Sequence, residues 1–430
     1  MKIYKYNELS PDEKNSVCER KNISDEKIIK IVQDIKKRVI EEKDKAIIDL
    51  TYEFDKVKLD NIKVTSEEIQ KASFKVDNDL KKAIETAKNN IEKFHKFQLD
   101  SLNSEKIETT EGIYCYRKFL PVENVGLYIP NGSAPLFSTV LMLAIPAKIA
   151  GCKEIFICSP PDKNGEIAPE ILYCADICGI KDIYKAGGAQ AIYAMAYSTQ
   201  TIKKADKIFG PGNSFVTCAK TDISSICAID MPAGPSEVLV IADETSNPKF
   251  VASDILAQAE HGVTSQSVLV LSDEEILPEI LNEIEKQKDK SDRKEIINES
   301  LKNSFIVLTK TKEESFEFSN TYAPEHLILN FKDYKQYIDL IKNAGSVFLG
   351  EYSSESFGDY ASGTNHTLPT SGFAKSYSGL NIESFGKQIT FQEVTKKGFD
   401  NLAETVEIMA KKELLTAHYN SVFVRRNYEK

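Results

Sequence analysis

Residues 125–158 read VGLYIPNGSAPLFSTVLMLAIPAKIAGCKEIFIC. Two short apolar runs, Val125-Gly126-Leu127-Tyr128-Ile129 and Ile155-Phe156-Ile157-Cys158, flank a helix-like stretch from Ser138 to Ile149. Strand, crossover helix and strand form the unit from which parallel sheets are built. The alternation continues through a further helical stretch to Asp182-Ile183-Tyr184, and then to Lys207-Ile208-Phe209 before a Gly-Pro-Gly turn. The pattern predicts a doubly wound parallel sheet with helices on both faces. Such sheets bind ligands beyond the carboxyl ends of their strands. There this segment carries Pro130-Asn131-Gly132-Ser133, Ala186-Gly187-Gly188-Ala189-Gln190 and Gly210-Pro211-Gly212-Asn213.

Downstream, a second strand-rich series runs through Glu237–Ile241, Ser267–Leu271, Phe305–Leu308, Leu327–Leu329 and Ser346–Leu349, again with helical stretches between. The expected fold class is therefore α/β, with two doubly wound, Rossmann-like domains. Upstream, the first hundred residues read as helical and highly charged. Thr65-Ser66-Glu67-Glu68 fits a capping box, and Leu80, Ile84, Ala87, Ile91 and Phe94 recur at helical spacing as one apolar face. His95 adjoins that face among lysines and is expected at the surface. The predicted domains are 1–124, a helical region packing with the second α/β unit; 125–234, the first α/β unit; 235–375, the second; and 376–430, a tail.

At 430 residues, with 41% hydrophobic and 28% charged side chains, the chain has the composition of a soluble globular protein of two or three domains. A net charge of −10 argues against general nucleic-acid binding, which needs a basic surface. No apolar stretch approaches a membrane span. The N-terminal residues lack the apolar core of a signal peptide, so a cytoplasmic location is expected. All eight cysteines lie between Cys18 and Cys227, mostly in apolar runs, and are expected to be reduced and buried.

Four of the five histidines fall in the second half, each in a motif rich in other ligating or acid–base groups: Gln258-Ala259-Glu260-His261, Pro324-Glu325-His326, Asp359 to His366, and Glu413 to His418. Histidine both ligates metals and exchanges protons near neutral pH. Gln258 and His261, three apart in a helix-like stretch, could share a metal; alone, a surface Gln and a capping His explain them as well. The neighbouring side chains of Glu325-His326 point in different directions, which suits two proton-transfer roles better than chelation of one ion. A turn entering the next strand is the simpler alternative there. No G-x-G-x-x-G stands at a strand–helix junction, and no G-x-x-x-x-G-K-[ST] phosphate loop is present. The residues alone reach an α/β metalloenzyme, with or without a nucleotide.

The stretches VGLYIPNGSAPLFSTVLM, AGGAQAIYAMAY, IFGPGNSFVTCAK, DMPAGPSEVLVIAD, LAQAEHG, TYAPEHL, GDYASGTNHTLPTSG and ELLTAH together closely resemble histidinol dehydrogenase, from about residue 25 to the end. The resemblance implies oxidation of L-histidinol to L-histidine through the aldehyde, the last step of histidine biosynthesis, with two NAD⁺ and one zinc ion per subunit. It implies Gln258, His261, Asp359 and His418 as zinc ligands, and Glu325 and His326 as the acid–base pair. Substrate contacts would come from Ser236, His366 and Glu413 as well as Gln258, His261, His326, Asp359 and His418. NAD contacts would come from Tyr128, Gln190 and Asn213. It further implies a homodimer whose tail crosses to the partner, so that Glu413 and His418 complete the other subunit's site. Asn131 stands where the family usually has glycine, and Gly262 where Asp is common. A related NAD-dependent dehydrogenase acting on another amino or hydroxy alcohol is the alternative. A zinc hydrolase using Glu325 and no cofactor, or a non-catalytic binding module, fits these residues less well.

Overall fold

The computed structural model describes residues 1–20, 26–102, 105–131 and 135–428. Gly132 and Ser133 of the first glycine loop lie outside the described residues.

Both expected α/β units are present. In the first, five parallel strands run side by side in the order Asp182–Lys185, Glu154–Ser159, Asn124–Tyr128, Lys207–Phe209, Ala228–Ile229. In the second, the order is Lys2–Lys5, Phe305–Leu308, Gln266–Leu271, Glu237–Ala242, His326–Asn330, Ser346–Leu349, again all parallel. Numbered within its own unit, each sheet follows the order 3-2-1-4-5, and the second adds the chain's N-terminal strand at one edge. The central strands are covered on both faces and therefore read as continuous apolar runs. All six residues of Glu237–Ala242 are buried. The helix Phe137–Ala150 between two strands of the first sheet is almost wholly buried and ends at Gly151, whose φ of +91° terminates it.

The N-terminal region does not pack with the second unit as a whole. Its first strand joins the second sheet, and the helix Pro11–Cys18 meets the helix Lys312–Tyr322 of that unit. The helices Glu26–Glu42, Asp44–Asp55, Ser66–Lys75 and Asn78–Asp100 pack instead on helices of the first unit. The physical reason is the apolar stripe of Val32, Ile35 and Val39, which finds its partner in the helices Gly188–Tyr197 and Ser214–Ile223. The capping box forms as read, with Glu68 N donating to Thr65 Oγ1 and Thr65 N to Glu68 Oε2.

His95 corrects the sequence reading. It is fully buried, with Nδ1 2.8 Å from Ile91 O, while Phe94 is 38% exposed. From Ile91 the buried face steps by four residues rather than three, so His95 takes the apolar position. The tail also holds more structure than expected. Gly386–Val394 pairs antiparallel with Ile113–Pro121, which pairs with Ile107–Thr110, making a three-stranded sheet. The helices Lys396–Lys412 and Thr416–Arg426 follow. Each cysteine is a free thiol; four are buried and four partly so. Among the described residues no helix is long and apolar enough to cross a membrane.

Candidate active site

The glycine loops of the first sheet stand at its carboxyl edge, as expected. Gly210 is held at φ +126°, and a Cβ there would lie 2.1 Å from Tyr128 O, so only glycine fits. Its N–H donates to Asp230 and its carbonyl accepts from Lys220, a pair that is itself a buried ion pair of 2.5 Å. Asn213 caps the helix Ser214–Ile223 by accepting from Phe215 N and Val216 N. Tyr128 Oη accepts from Gly188 N at 3.0 Å. Tyr128, Gln190 and Asn213 together line a cavity of about 740 Å³ beside this edge. Asn131 lines it too and donates to Pro160 O, tying the ends of two adjacent strands together.

The second sheet faces the same space with its opposite, amino edge. Ser236 immediately precedes the strand Glu237–Ala242, and His326 opens the next strand. Ala323, in the left-handed region at φ +53°, ends the helix Lys312–Tyr322, and Pro324 then leads into the pair Glu325-His326. Glu325 Oε2 accepts from Glu237 N at 2.8 Å, and His326 Nδ1 lies 3.2 Å from Glu237 O. Glu325 Oε2 and His326 Nδ1 are 3.6 Å apart, and His326 Nε2 is 3.5 Å from Asp359 Oδ1. These residues, with Ser236, His261 and His366, line a smaller cavity of about 140 Å³. The two cavities share Leu136, Gly212, His261 and Tyr360, so the large one opens into the small one.

Gln258 closes the helix Pro248–Ala259, and His261 follows on the terminal turn, its N–H donating to Gln258 O. Gln258 is fully buried with neither amide atom hydrogen-bonded. Asp359 lies on the short helix Glu355–Tyr360. His366 is fixed by Asp359 O at its Nδ1 (2.9 Å) and by Thr139 Oγ1 at its Nε2 (3.3 Å), while Asn365 donates to Met142 O. The loop around His366 therefore rests on the Phe137–Ala150 helix of the first unit. Glu413 and His418 are not brought to these residues; both are exposed on the tail.

Burial shapes the electrostatics. It pushes Glu325 up to about 8, against the pull of His326 and the Glu237 N–H. Burial alone would lower His326, but Glu325, Asp359 and Glu355 outweigh it and raise the imidazole to about 10. Asp359 would likewise rise on burial; His326, His366 and His261 hold it below the usual carboxylate range. His261 is exposed on one side yet packed closely on the other, and desolvation lowers it ahead of its charged neighbours.

Two groups escaped the sequence reading. Glu355 is buried beside Asp359, with ligating atoms of His261, Glu355 and Asp359 all within 4.8 Å of one another. Its spacing of four residues before Asp359 was the available signal. Arg20 forms a two-pronged ion pair with Glu237, at 2.9 and 3.0 Å, and its guanidinium lies 3.4 Å over the Tyr322 ring. Nothing local to Arg20 announces a partner 217 residues away.

A cavity of about 740 Å³ at the carboxyl edge of a 3-2-1-4-5 sheet, opening onto a buried carboxylate–imidazole cluster, is the layout of an enzyme that brings a bound cofactor to acid–base groups, and the relatives of this chain are dehydrogenases. Residues 18–426 match the family model for histidinol dehydrogenase. The chain is 51% identical over 428 residues to "Histidinol dehydrogenase" of Bacteroides thetaiotaomicron, covering 99% of both. It is 52% identical over 423 residues to that of Haemophilus influenzae, covering 98% of this chain and 97% of the relative. The crystal structure of histidinol dehydrogenase from Elizabethkingia anophelis superposes with a TM-score of 0.94 at 52% identity, over 99% of this chain and 98% of that one. The chain belongs to the histidinol dehydrogenase family.

Proposed function

We propose that the protein oxidises L-histidinol to L-histidine in two steps through the aldehyde, using two NAD⁺ and one zinc ion per subunit. The observation that carries this reading is the junction of the two cavities at His261 and Tyr360, where a cofactor and a small substrate would meet beside Glu325 and His326.

The residues fit a metal ion. Gln258 presents two buried amide atoms without partners, and the ligating atoms of His261 and Asp359 lie close together. Imidazole nitrogen with carboxylate and amide oxygen is a donor set zinc accepts. His418 would be the fourth ligand, supplied by the tail of a second copy. That tail leaves Met409, Leu414 and Val424 exposed in the single chain, with Leu414 at 86%, which supports burial against a partner. Glu413 would reach the substrate from the same tail.

When bound, zinc supplies a template for the alcohol and positive charge that offsets the surrounding carboxylates. Hydride acceptance is the chemistry of the dinucleotide. The chain's own residues move the protons. His326, once that carboxylate charge is offset, takes the hydroxyl proton in the first oxidation and acts again in the second. Glu325 draws the proton from the water that adds to the aldehyde; burial, by raising its basicity, suits it to this role. His366, held by Asp359 O and Thr139, and Ser236 orient the substrate. Tyr128, Gln190 and Asn213 hold the dinucleotide.

The test is the yield of NADH per L-histidinol consumed, before and after chelation. A ratio near two that vanishes on metal removal supports the reading. A ratio near one, or activity indifferent to chelation, overturns it.

A further inference from the structure

We propose that Glu355 is a ligand of the bound zinc in the substrate-free enzyme, occupying a coordination position that the nitrogen donors of the substrate take over. The proposal rests on the reading that this cluster holds zinc.

Glu355 and Asp359 lie one turn apart on the helix Glu355–Tyr360 and so share a face. Their carboxylates and the His261 ring can each offer an atom within 4.8 Å of the others, close enough for one ion. Glu355 is 1% exposed, and neither of its oxygens has a hydrogen-bond partner. Its acidic neighbours differ in this respect. Glu325 accepts the Glu237 N–H, Asp254 accepts from the Asn330 amide, and Asp359 faces His326. A buried carboxylate without any donor is costly, and a cation at the cluster removes that cost. Glu355 is thus the acid in this cluster that the protein leaves wholly unsatisfied among the described residues.

The coordination count agrees. In the dimer four donors are assigned: Gln258, His261 and Asp359 of one chain, and the His418 that a second copy would supply, since this chain's own is exposed elsewhere. L-histidinol carries an imidazole nitrogen and an amine, each a donor zinc accepts, so a shell that expands to take them has positions beyond those four that stand open before the substrate arrives. Glu355 stands within reach, and its side chain is long enough to swing away when they arrive.

The experiment measures the zinc dissociation constant of the dimeric holoenzyme by chelator competition, with and without saturating L-histidine, in the wild type, Glu355→Gln and Glu355→Asp. Loss of a direct ligand should weaken zinc in Glu355→Gln without L-histidine by at least the roughly 10- to 100-fold that removal of even an outer-shell partner costs. With L-histidine bound, the variant and the wild type should agree, since in both the same donors then fill the shell. Glu355→Asp, which keeps the charge on a shorter stem, should fall between them. Equal affinities without L-histidine, or the same loss with and without it, overturn the proposal; the latter is what a purely structural role would give. A wild type that binds no zinc overturns the metal reading beneath it, and the proposal with it.

Discussion

The backbone N–H of Glu237 donates to the Glu325 carboxylate at 2.8 Å, and the carbonyl of that same residue lies 3.2 Å from His326 Nδ1. One main-chain position, in the buried central strand of the second sheet, thus orients both members of the acid–base pair. Because the anchor is backbone, it survives substitution of either side chain, and the two roles can be separated by mutation.

His326→Ala should slow both oxidations by about 10²–10⁴, the usual contribution of a positioned base. Glu325→Gln keeps an oxygen for the Glu237 N–H and should slow mainly the aldehyde-to-acid step. Single-turnover kinetics started from histidinol and from the aldehyde separate the two. Equal losses in both steps would refute this division of labour.

If the tail completes the partner's site, an inactive His418→Ala enzyme mixed with an inactive His326→Ala enzyme should regain activity. In a heterodimer one of the two sites carries both lesions and the other carries neither. Activity that stays at the level of the separate variants, with subunit exchange verified by mass, would place His418 outside a shared site.

Gly210→Ala forces a methyl against Tyr128 O from a left-handed backbone. Strain of this kind costs about 1–3 kcal/mol, or roughly 5- to 150-fold in affinity if it falls on the cofactor-binding geometry. The KM for NAD⁺ should rise while zinc content stays unchanged. A lowered melting temperature with an unaltered KM would show that the loop serves the fold alone.

Arg20→Ala leaves Glu237 buried without its cation. Breaking a buried pair from one side costs about 3–5 kcal/mol. The melting temperature should fall well below that of Lys82→Ala, whose partner Asp79 is exposed. Equal melting points for the two variants would mean that Glu237 is adequately held by Ser371 N and Tyr322 Oη.

Burial raises Asp254 to about 7, with the Asn330 amide pulling only weakly the other way. Its unfolded value is near 4, so between about pH 4 and pH 7 the unfolded chain loses a proton that the folded one keeps. Stability from this group is therefore full below about pH 4 and declines as pH rises to about 7. Asp254→Asn should melt higher than the wild type at pH 7 in the metal-free enzyme, with the gap closing toward pH 4. A gap independent of pH would contradict the buried carboxyl as its source.

Much of this architecture was legible in the residues. The central parallel strands, covered on both faces, announce themselves as apolar runs, and Gly210 and Gly212 mark the carboxyl edge of the first sheet. Half-exposed strands such as Lys2–Lys5 and Gly386–Val394 alternate with charge and pair with segments far away, so no local signal defines them. The site residues were identified through motif resemblance; local spacing alone left Gln258 and His261 open between ligation and capping. That the second sheet presents its amino edge, against the usual tendency of such sheets, follows only from the packing of the two units. Glu355 was missed because a carboxylate in a short polar segment reads as surface, whereas here the helix turns it inward beside Asp359.

The strand Lys2–Lys5 takes its place beside Phe305–Leu308. Its partner is synthesised about 300 residues after it. At roughly 5–20 residues per second, that is a wait of about 15–60 s during synthesis. The second sheet cannot gain its outer strand until the whole of the first unit has been made. Until then Lys2–Lys5 has no strand to pair with, and Arg20 waits with it for the buried Glu237 it will meet.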